Sequence, residues 1–353
     1  MVQLLKVLTA SQLYPLAVCI WNLCCHREQL KKQPRHVTNE RRRALNHDSE
    51  HSSAATKTSD TSDVTTRTMS KLSSSLKALI NAPSARPHPT AAPAHIRSLY
   101  QAIASDATKR NIGFKPWVVL SSAATFTLNS PESLAILQDV ASTSSSSTSL
   151  SPVQTAELIR EVGLKCISFN GIPRSINCLN AFYASLSPEI TSRLETKASR
   201  EPSPELLPSI SARGRALWDS VYRPYEDALI TKLATSHPDL PVHILNSHYA
   251  PLLSDPEAGS RGGLASTGRV LTSLIAIACL RSQTGVGPQV LSHVFGLRKA
   301  IEDGSYKASG HETVEGAEWL ATDEGSEWIL KTVDSISEVL GGGNFARNPQ
   351  AKL

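Results

Sequence analysis

The sequence is poor in the residues that hold small disulfide-bonded or zinc-bound proteins together. Its 353 residues include six cysteines, and aromatic side chains make up 5% of the chain. No two cysteines form a C-x-x-C pair, and no histidine completes a zinc-ligand spacing. These absences exclude a secreted disulfide framework and a structural zinc site, because both need closely spaced cysteines. We therefore expect a reducing, intracellular environment and no bound metal.

The chain also lacks the short motifs of nucleotide-binding proteins and serine hydrolases. It contains no G-x-S-x-G motif and no G-x-x-x-x-G-K-[ST] phosphate loop. The segment 259–269, GSRGGLASTGR, is rich in glycine and arginine, but it lacks the phosphate-loop spacing and follows no predicted strand. His243 and His248 have no further ligands at metal spacing. We therefore expect no organic cofactor.

Positive charge is concentrated near the N-terminus. The formal net charge is +5, and residues 1–68 carry ten Lys or Arg against six Asp or Glu. Residues 69–353 carry 26 basic and 25 acidic side chains, so the body of the chain is close to neutral. A neutral body lacks the electrostatic footprint of a nucleic-acid-binding domain, and we expect no nucleic-acid partner.

The first 68 residues do not have the pattern of a folded domain. The apolar stretch 7–25 is interrupted by polar residues and by Pro15, and basic residues follow it, which argues against an integral membrane span and a signal peptide. Residues 46–68 are rich in Ser and Thr and are predicted to be disordered. Met69 is the only other methionine, so we expect a start there to compete with a start at Met1.

Two targeting signals compete at opposite ends of the chain. Residues 69–95 are serine-rich and basic without an acidic residue, which is typical of a mitochondrial presequence; the alternative is a plain amphipathic helix followed by a Pro/Ala linker. The chain ends in Ala351-Lys352-Leu353, which is similar to the S-K-L peroxisomal address. We expect the peroxisomal import receptor to bind this tripeptide and the protein to enter the peroxisomal matrix, with the mitochondrion as the alternative.

Nearly every long apolar segment of the body repeats with a period near 3.6 residues, and none alternates with a period of two. This pattern predicts an all-α bundle. Proline and serine clusters predict connecting segments at 142–149, 187–213 and 237–256. The predicted helices lie at 117–128, 133–141, 155–169, 173–186, 217–233 with a break at Pro224, 270–280, 288–301, 312–320 and 324–340.

The stretch 269–301 holds the strongest candidate for a functional site. An almost wholly apolar helix is followed by a glycine-containing break at 284–287, and the next helix carries Gln289 and His293 one turn apart on one side. His293 is a candidate general acid or base, because imidazole titrates near neutral pH. Gln289 is predicted to orient a substrate oxygen. The alternative is a core histidine whose ring nitrogens are paired with the backbone or with Gln289.

The string ELIREVGLKCISFNGIPRSINCLNAF, which begins at Glu157, carries a family resemblance. A helix led by this glutamate runs into a G-x-P-x-x-x-N turn formed by Gly171, Pro173 and Asn177. The arrangement resembles the carboxymuconolactone decarboxylase and alkylhydroperoxidase D (AhpD-like) superfamily, and most of all its fungal two-repeat branch.

The resemblance extends to the second half of the chain, where Gln289 and His293 take the places of the family's Q-x-x-x-H helix. It implies an all-α, AhpD-like helical bundle built from two repeats of helical hairpins, at 96–200 and 201–310. C-terminal helices at 311–340 and a flexible tail would follow these repeats. The resemblance also implies a homo-oligomer.

Redox members of the family carry C-x-x-C-x-x-x-H, and this chain departs from that pattern. With His293 in the histidine place, Val286 and Gln289 fall on the two cysteine places. Valine has no thiol, so dithiol peroxidase activity is not expected. What remains is metal-free chemistry on a small acid or lactone, with His293 as acid or base. The alternatives are a non-catalytic binding or assembly module and a residual single-cysteine antioxidant activity.

Three further residues belong to the candidate site. Glu157 is a candidate catalytic residue, and the alternative is that it stabilises the dipole in the first turn of its helix. Arg174 is a candidate ligand for a carboxylate substrate, and the alternative is a solvated surface arginine. Asn177, from the G-x-P-x-x-x-N turn, is a candidate substrate-binding residue.

Overall fold

The chain divides into two compact units, Met1–Pro87 and His88–Leu353. In the first unit, the described residues form a short helix, α1 (Ser74–Ile80), whose first turn is capped by the hydroxyl of Ser73. The predictions for the N-terminal leader, the alternative start and the C-terminal tripeptide lie outside the described residues. The computed structural model describes residues 72–144, 148–307 and 313–341.

The second unit is built from α-helices, and the described residues contain no β-strand, which confirms the predicted all-α fold. Among the described helices, none is long and apolar enough to cross a bilayer. The longer helices are α2 (Ile96–Lys109), α3 (Phe114–Thr127), α4 (Pro131–Ser142), α5 (Pro152–Lys165), α6 (Ile172–Ser185), α7 (Leu207–Tyr222), α8 (Glu226–Ser236), α9 (Gly268–Gln283), α10 (Gly287–Glu302) and α11 (Asp323–Val339). Short helical segments lie at Ile167–Asn170, Pro188–Thr191, Asp239–His243 and Ala317–Leu320, and Ile244–Leu253 forms a π-helix.

Helices α3 and α9 form the centre of the second unit and pack against each other. Nearly every residue of both helices is buried, as the apolar sequence at 270–280 predicts. Three hydroxyl groups of α3 are satisfied within the helix, because Ser122, Thr125 and Thr127 donate to carbonyl oxygens four residues earlier, whereas the buried Ser121 Oγ has no partner among the described residues. Burial of the apolar side chains, at about 25 cal/mol per Å², is the main stabilising contribution of this layer.

Helix α6 turns a different face to the core than its apolar period indicates. Ile172, Ile176, Leu179 and Tyr183 recur at helical spacing and predict one packed stripe. In the structure the side chains of Ile172, Ile176 and Tyr183 are 58%, 52% and 53% exposed. The fully buried positions of α6 are Ser175, Cys178 and Phe182. Two offset apolar stripes therefore compete in this sequence, and packing against α4 and α5 decides between them.

Two segments whose proline content predicts connectors contain helices. The prediction for 187–213 is wrong from Leu207 onward, where α7 begins, and the prediction for 237–256 is wrong because most of that segment is helical. Pro208 and Pro241 lie in the first turns of their helices. A first-turn residue has no intrahelical partner for its N–H, so proline is tolerated there.

The π-helix packs closely against α7, and a glycine permits this approach. A Cβ atom on Gly214 would lie 2.4 Å from the Cα atom of Ala250. The two elements enclose a second, smaller apolar cluster around Trp218, Tyr249 and Leu253. This cluster lies directly beside the candidate site.

Candidate functional site

A cavity of about 430 Å³ lies between α7, α9, the C-terminal end of α10 and the segment that follows the π-helix. Its volume is in the range of small-molecule binding sites. Ala216, Leu217 and Leu253 give it an apolar wall. The charged side chains that line it are Arg213, Arg223, Arg269, Lys299, Asp219, Asp255 and Asp303. The cavity therefore combines charged groups with apolar surface.

Arg269, in the first turn of α9, is a buried cation in the wall of this cavity. Its guanidinium donates hydrogen bonds to Ser220 Oγ at 2.7 Å, to the Ser220 carbonyl at 3.3 Å, to the Gly296 carbonyl at 2.8 Å and to Ser273 Oγ. All of these acceptors are neutral, and within the described residues no carboxylate forms an ion pair with Arg269. Burial lowers the pKa of Arg269 to about 10, although the Asp303 carboxylate opposes this shift.

These hydrogen bonds join three helices on one side chain. The acceptors Ser220, Ser273 and Gly296 belong to α7, α9 and α10. Four of the five guanidinium N–H groups are engaged, and one on Nη1 remains. The helices thus fix the orientation of a buried positive charge whose desolvation costs several kcal/mol.

A buried ion pair lies behind the Asp255 side of the cavity. Lys165 of α5 is fully buried, and its Nζ donates to Asp255 Oδ1 at 2.7 Å, to Thr267 Oγ1 at 2.6 Å and to the Leu253 carbonyl at 2.6 Å. Asp255 Oδ2 accepts from the Gly268 N–H at 2.6 Å. Burial acts to raise the pKa of Asp255, but Lys165 and these hydrogen bonds outweigh it and hold that pKa well below its usual range. An anion of the chain itself therefore occupies the N-terminus of α9.

His293 lies beside the 430 Å³ cavity but does not line it. It faces a small cavity of about 10 Å³, which has room for about one water molecule. The rings of Phe169 and Tyr222 pack edge-on against it, with centroids at 6.1 and 6.3 Å. Burial, with repulsion from Arg269, lowers the pKa of His293 to about 3. The imidazole is therefore neutral at physiological pH.

Glu157 is engaged in structural contacts. Its carboxylate accepts hydrogen bonds from Arg160 at 2.9 and 3.0 Å and from the Glu195 N–H at 2.7 Å, which ties α5 to the segment around Glu195. Burial raises its pKa, and these partners partly offset the effect. The alternative of dipole stabilisation in the first turn is wrong, because α5 begins at Pro152 and Glu157 lies in its second turn. A catalytic role for Glu157 stays a prediction.

The remaining predicted site residues lie apart from the cavity. Gln289 is exposed one turn before His293, and Asn177 is exposed on α6. Arg174 is half-buried and donates a hydrogen bond to the Thr127 carbonyl at the end of α3. None of these side chains lines the 430 Å³ cavity. Their roles in substrate binding stay predictions.

Two cysteines that are far apart in the sequence meet in the core. The Sγ atoms of Cys166 and Cys279 lie 3.5 Å apart, and both residues are fully buried. Burial raises the pKa of Cys166 well above its ordinary value, and the neighbouring Cys279 adds to the shift. A thiol with a raised pKa forms little thiolate, which is the reactive species. This environment does not favour a single-cysteine antioxidant activity.

The sequence does not predict that the residues around the cavity form a site. Arg269 opens the stretch 269–301, but arginine is seldom buried, and its partners Ser220 and Gly296 are 49 and 27 residues away. Lys165 and Asp255 are 90 residues apart. Lys165 lies on the apolar face of α5, and a lysine in such a position indicates a buried partner. The sequence does not show which residue that partner is.

The site carries no arrangement typical of a metal centre. Within the described ranges, no group of three or more His, Cys, Asp and Glu side chains is placed to hold a metal ion. Comparison of the chain with protein-family models, with characterised proteins and with solved structures found no match.

Proposed function

We propose that this protein binds a small organic anion in the 430 Å³ cavity, with Arg269 as the positive anchor. The observation that carries the proposal is a buried guanidinium that lines a cavity and has only neutral acceptors. A buried charge without a counter-ion is costly. An anion in the cavity supplies the missing counter-charge.

The rest of the wall suits an organic rather than an inorganic anion. Ala216, Leu217 and Leu253 present apolar surface to the same space that Arg269 borders. Burial of an aliphatic group against this surface contributes about 0.8 kcal/mol per methylene. The ligand therefore has an anionic end and a short apolar body, as an alkyl carboxylate or an alkyl phosphate does.

The pKa and the surroundings of His293 suit a protein that binds its ligand without turnover better than one that uses His293 for acid–base catalysis. A general acid or base is most effective when its pKa lies near the working pH, whereas burial lowers the pKa of His293 to about 3. Apolar and aromatic side chains, among them Phe169, Leu217 and Val221, fill the space around the imidazole. We therefore favour the non-catalytic binding module over chemistry on an acid or lactone.

The AhpD-like relationship is kept as part of this proposal. It is supported by the all-α fold and by two helix breaks, at Gly171–Pro173 and at Gly285–Pro288, in each of which a glycine precedes a proline in the first turn of the next helix. In both breaks a glycine adopts a positive φ, with values of 79° and 73°. Two-repeat construction and a homo-oligomer follow from the relationship and are proposed with it.

Calorimetric titration of the full chain tests the proposal. The anionic probes are pentanoate and butyl phosphate, and pentanamide is the neutral probe of matched length. We expect at least one anion to bind and the amide to bind at least about tenfold more weakly, because it lacks the charge that Arg269 compensates. Absence of binding by both anions would contradict the proposal.

Ala216→Trp tests the location of the site without removing a buried charge. Ala216 is an exposed residue that lines the cavity, so an indole there is expected to block access while the fold remains intact. Ala184→Trp is the matched control, since Ala184 is an exposed alanine of α6 that does not line the cavity. Anion binding that survives Ala216→Trp would place the site elsewhere.

A further inference from the structure

Two residues that line the 430 Å³ cavity each have a buried side-chain donor without a partner among the described residues. The Nε atom of Arg213 and the Oγ atom of Ser305 are buried, and neither has a hydrogen-bond partner among the described residues. Both residues line the cavity. Buried polar atoms without partners are rare, and a ligand that completes their bonding is one physical reason for them.

Two cations add further unused donors. The Nζ atom of Lys299 makes one long hydrogen bond, to the Asp219 carbonyl at 3.5 Å, and the Nη1 atom of Arg269 keeps one N–H. Burial lowers the pKa of Lys299, and repulsion from Arg223 and Arg269 lowers it further. Attraction to the Asp303 carboxylate acts in the opposite direction. The two cations therefore repel each other across the cavity wall, and an anion between them removes this repulsion.

Most of the lining carboxylates are already engaged. Asp219 is held by two neighbouring arginines at 2.6 and 3.4 Å, and Asp255 is held by Lys165 at 2.7 Å. Asp303 accepts a hydrogen bond from the Ser305 N–H at 2.9 Å and, of the three lining carboxylates, is the one without an ion pair among the described residues. Two unpaired cations thus face one unpaired anion, and the balance favours an anionic ligand.

We propose that the ligand is a phosphate monoester with a short apolar substituent, an assignment that rests on the proposed function. The residues with unused donors belong to α7, α9, α10 and the short 3-10 helix Ser305–Lys307, so four separate segments bring such residues to the lining of one cavity. A carboxylate offers two oxygens in one plane, whereas a phosphate monoester offers three strong acceptor oxygens and a charge near −2 at neutral pH. The substituent packs on Ala216, Leu217 and Leu253.

Titration of the full chain at pH 7.5 with butyl phosphate, pentanoate and inorganic phosphate tests the ligand class. We expect butyl phosphate to bind at least about tenfold more tightly than pentanoate, because it satisfies more of the charged donors. We also expect it to bind more tightly than inorganic phosphate, because only the ester reaches the apolar wall. Equal or tighter binding of inorganic phosphate overturns the monoester assignment.

Two substitutions identify the donors. Lys299→Met is expected to lower the affinity for butyl phosphate about tenfold and to narrow its advantage over pentanoate, and Ser305→Ala is expected to lower it severalfold. Lys331→Met, which removes an exposed lysine of α11, is the matched control and is expected to change neither affinity. An unchanged ratio of the two affinities in Lys299→Met overturns the proposal.

The outcomes separate this inference from the function on which it rests. If pentanoate binds as tightly as butyl phosphate, and Ala216→Trp abolishes both, the cavity is an anion site but not a phosphate site. If neither anion binds, the proposed function fails together with the ligand class.

Discussion

The Nζ atom of Lys165 lies 2.7 Å from Oδ1 of Asp255, in the interior of the bundle and 90 residues away along the chain. Glu161 lies 3.9 Å from the same nitrogen and is itself bound by Arg200 at 2.6 Å. The pair joins α5 to the N-terminus of α9, where Asp255 also accepts from the Gly268 N–H. Stability and the geometry of the candidate site therefore depend on the same two side chains.

Lys165→Met is expected to destabilise the protein strongly. Removal of one partner of a buried ion pair leaves an uncompensated charge and costs about 3–5 kcal/mol. The double variant Lys165→Met with Asp255→Asn removes both charges and is expected to recover part of this loss. Unfolding in urea, monitored by circular dichroism, measures both effects.

The exposed pair of Lys331 and Glu327 is the control for this prediction. Their atoms are also 2.7 Å apart, but both side chains are largely exposed. Lys331→Met is therefore expected to change the free energy of unfolding by about 0.5 kcal/mol or less. If Lys165→Met lowers the free energy of unfolding by no more than Lys331→Met does, the buried pair contributes no more to stability than a surface pair.

His293 is expected to make the stability of the protein depend on pH in the range where histidines titrate. Its pKa is about 3 in the folded state, against 6.5 as the ordinary value. The unfolded chain therefore takes up a proton below pH 6.5 that the folded chain does not take up. Stability is full above the unfolded pKa and falls as the pH drops, by about 2 kcal/mol between pH 7 and pH 5.

Urea unfolding of His293→Phe at the two pH values isolates this contribution, because phenylalanine keeps an aromatic ring against Phe169 and Tyr222 but does not titrate. The pH-dependent loss is expected to shrink by about 2 kcal/mol relative to the parent. His88→Gln, which removes an exposed histidine, is the control and is expected to leave the slope unchanged. An identical slope in His293→Phe would show that the imidazole takes up its proton in the folded state.

The helical layer could be predicted from the sequence because a single period describes it. The segment 117–128 is expected to be helical, and all of it except the C-cap residue Leu128 lies within α3; the apolar run at 270–280 is buried in α9 as predicted. Helix α6 carries two offset apolar stripes, and no local rule tells which one meets the core. Periodicity fixes the type of an element, while its orientation depends on the surfaces of its neighbours.

The candidate site could not be predicted for a different reason. Lys165 and Arg269 are charged, and the general rule places charged side chains in water unless a partner is buried with them. The partners Asp255, Ser220 and Gly296 lie 90, 49 and 27 residues away. The spacing of Gln289 and His293 singles out His293 as a candidate, but its protonation depends on burial and on Arg269, which a sequence pattern does not reveal.

Delivery to the peroxisome is a prediction that the C-terminal tripeptide alone carries. A fusion designed to carry a fluorescent protein at its N-terminus and to end in Ala351-Lys352-Leu353 presents this tripeptide as a free C-terminus, which is the form of address that the import receptor recognises. We expect a peroxisomal signal in yeast cells and its loss when the tripeptide is deleted. A mitochondrial signal from both the intact and the tripeptide-deleted fusion would contradict this prediction. The alternative presequence at 69–95 would be supported if a C-terminal fusion, which leaves that segment ahead of the fluorescent protein, is also mitochondrial.

Gly214 is expected to be intolerant of the smallest side chain. A Cβ atom there would lie 2.4 Å from Cα and 2.6 Å from N of Ala250, and these backbone atoms cannot move without separating the π-helix from α7. Gly214→Ala is therefore expected to cost about 1–3 kcal/mol or more in urea unfolding. It is also expected to weaken anion binding, since α7 and Leu253 of the π-helix both line the cavity.

Gly287→Ala is the matched control, because no atom lies within 4 Å of its added Cβ and alanine favours the helix that begins there. Equal stability of the two variants would mean that the close contact between α7 and the π-helix does not hold the cavity together.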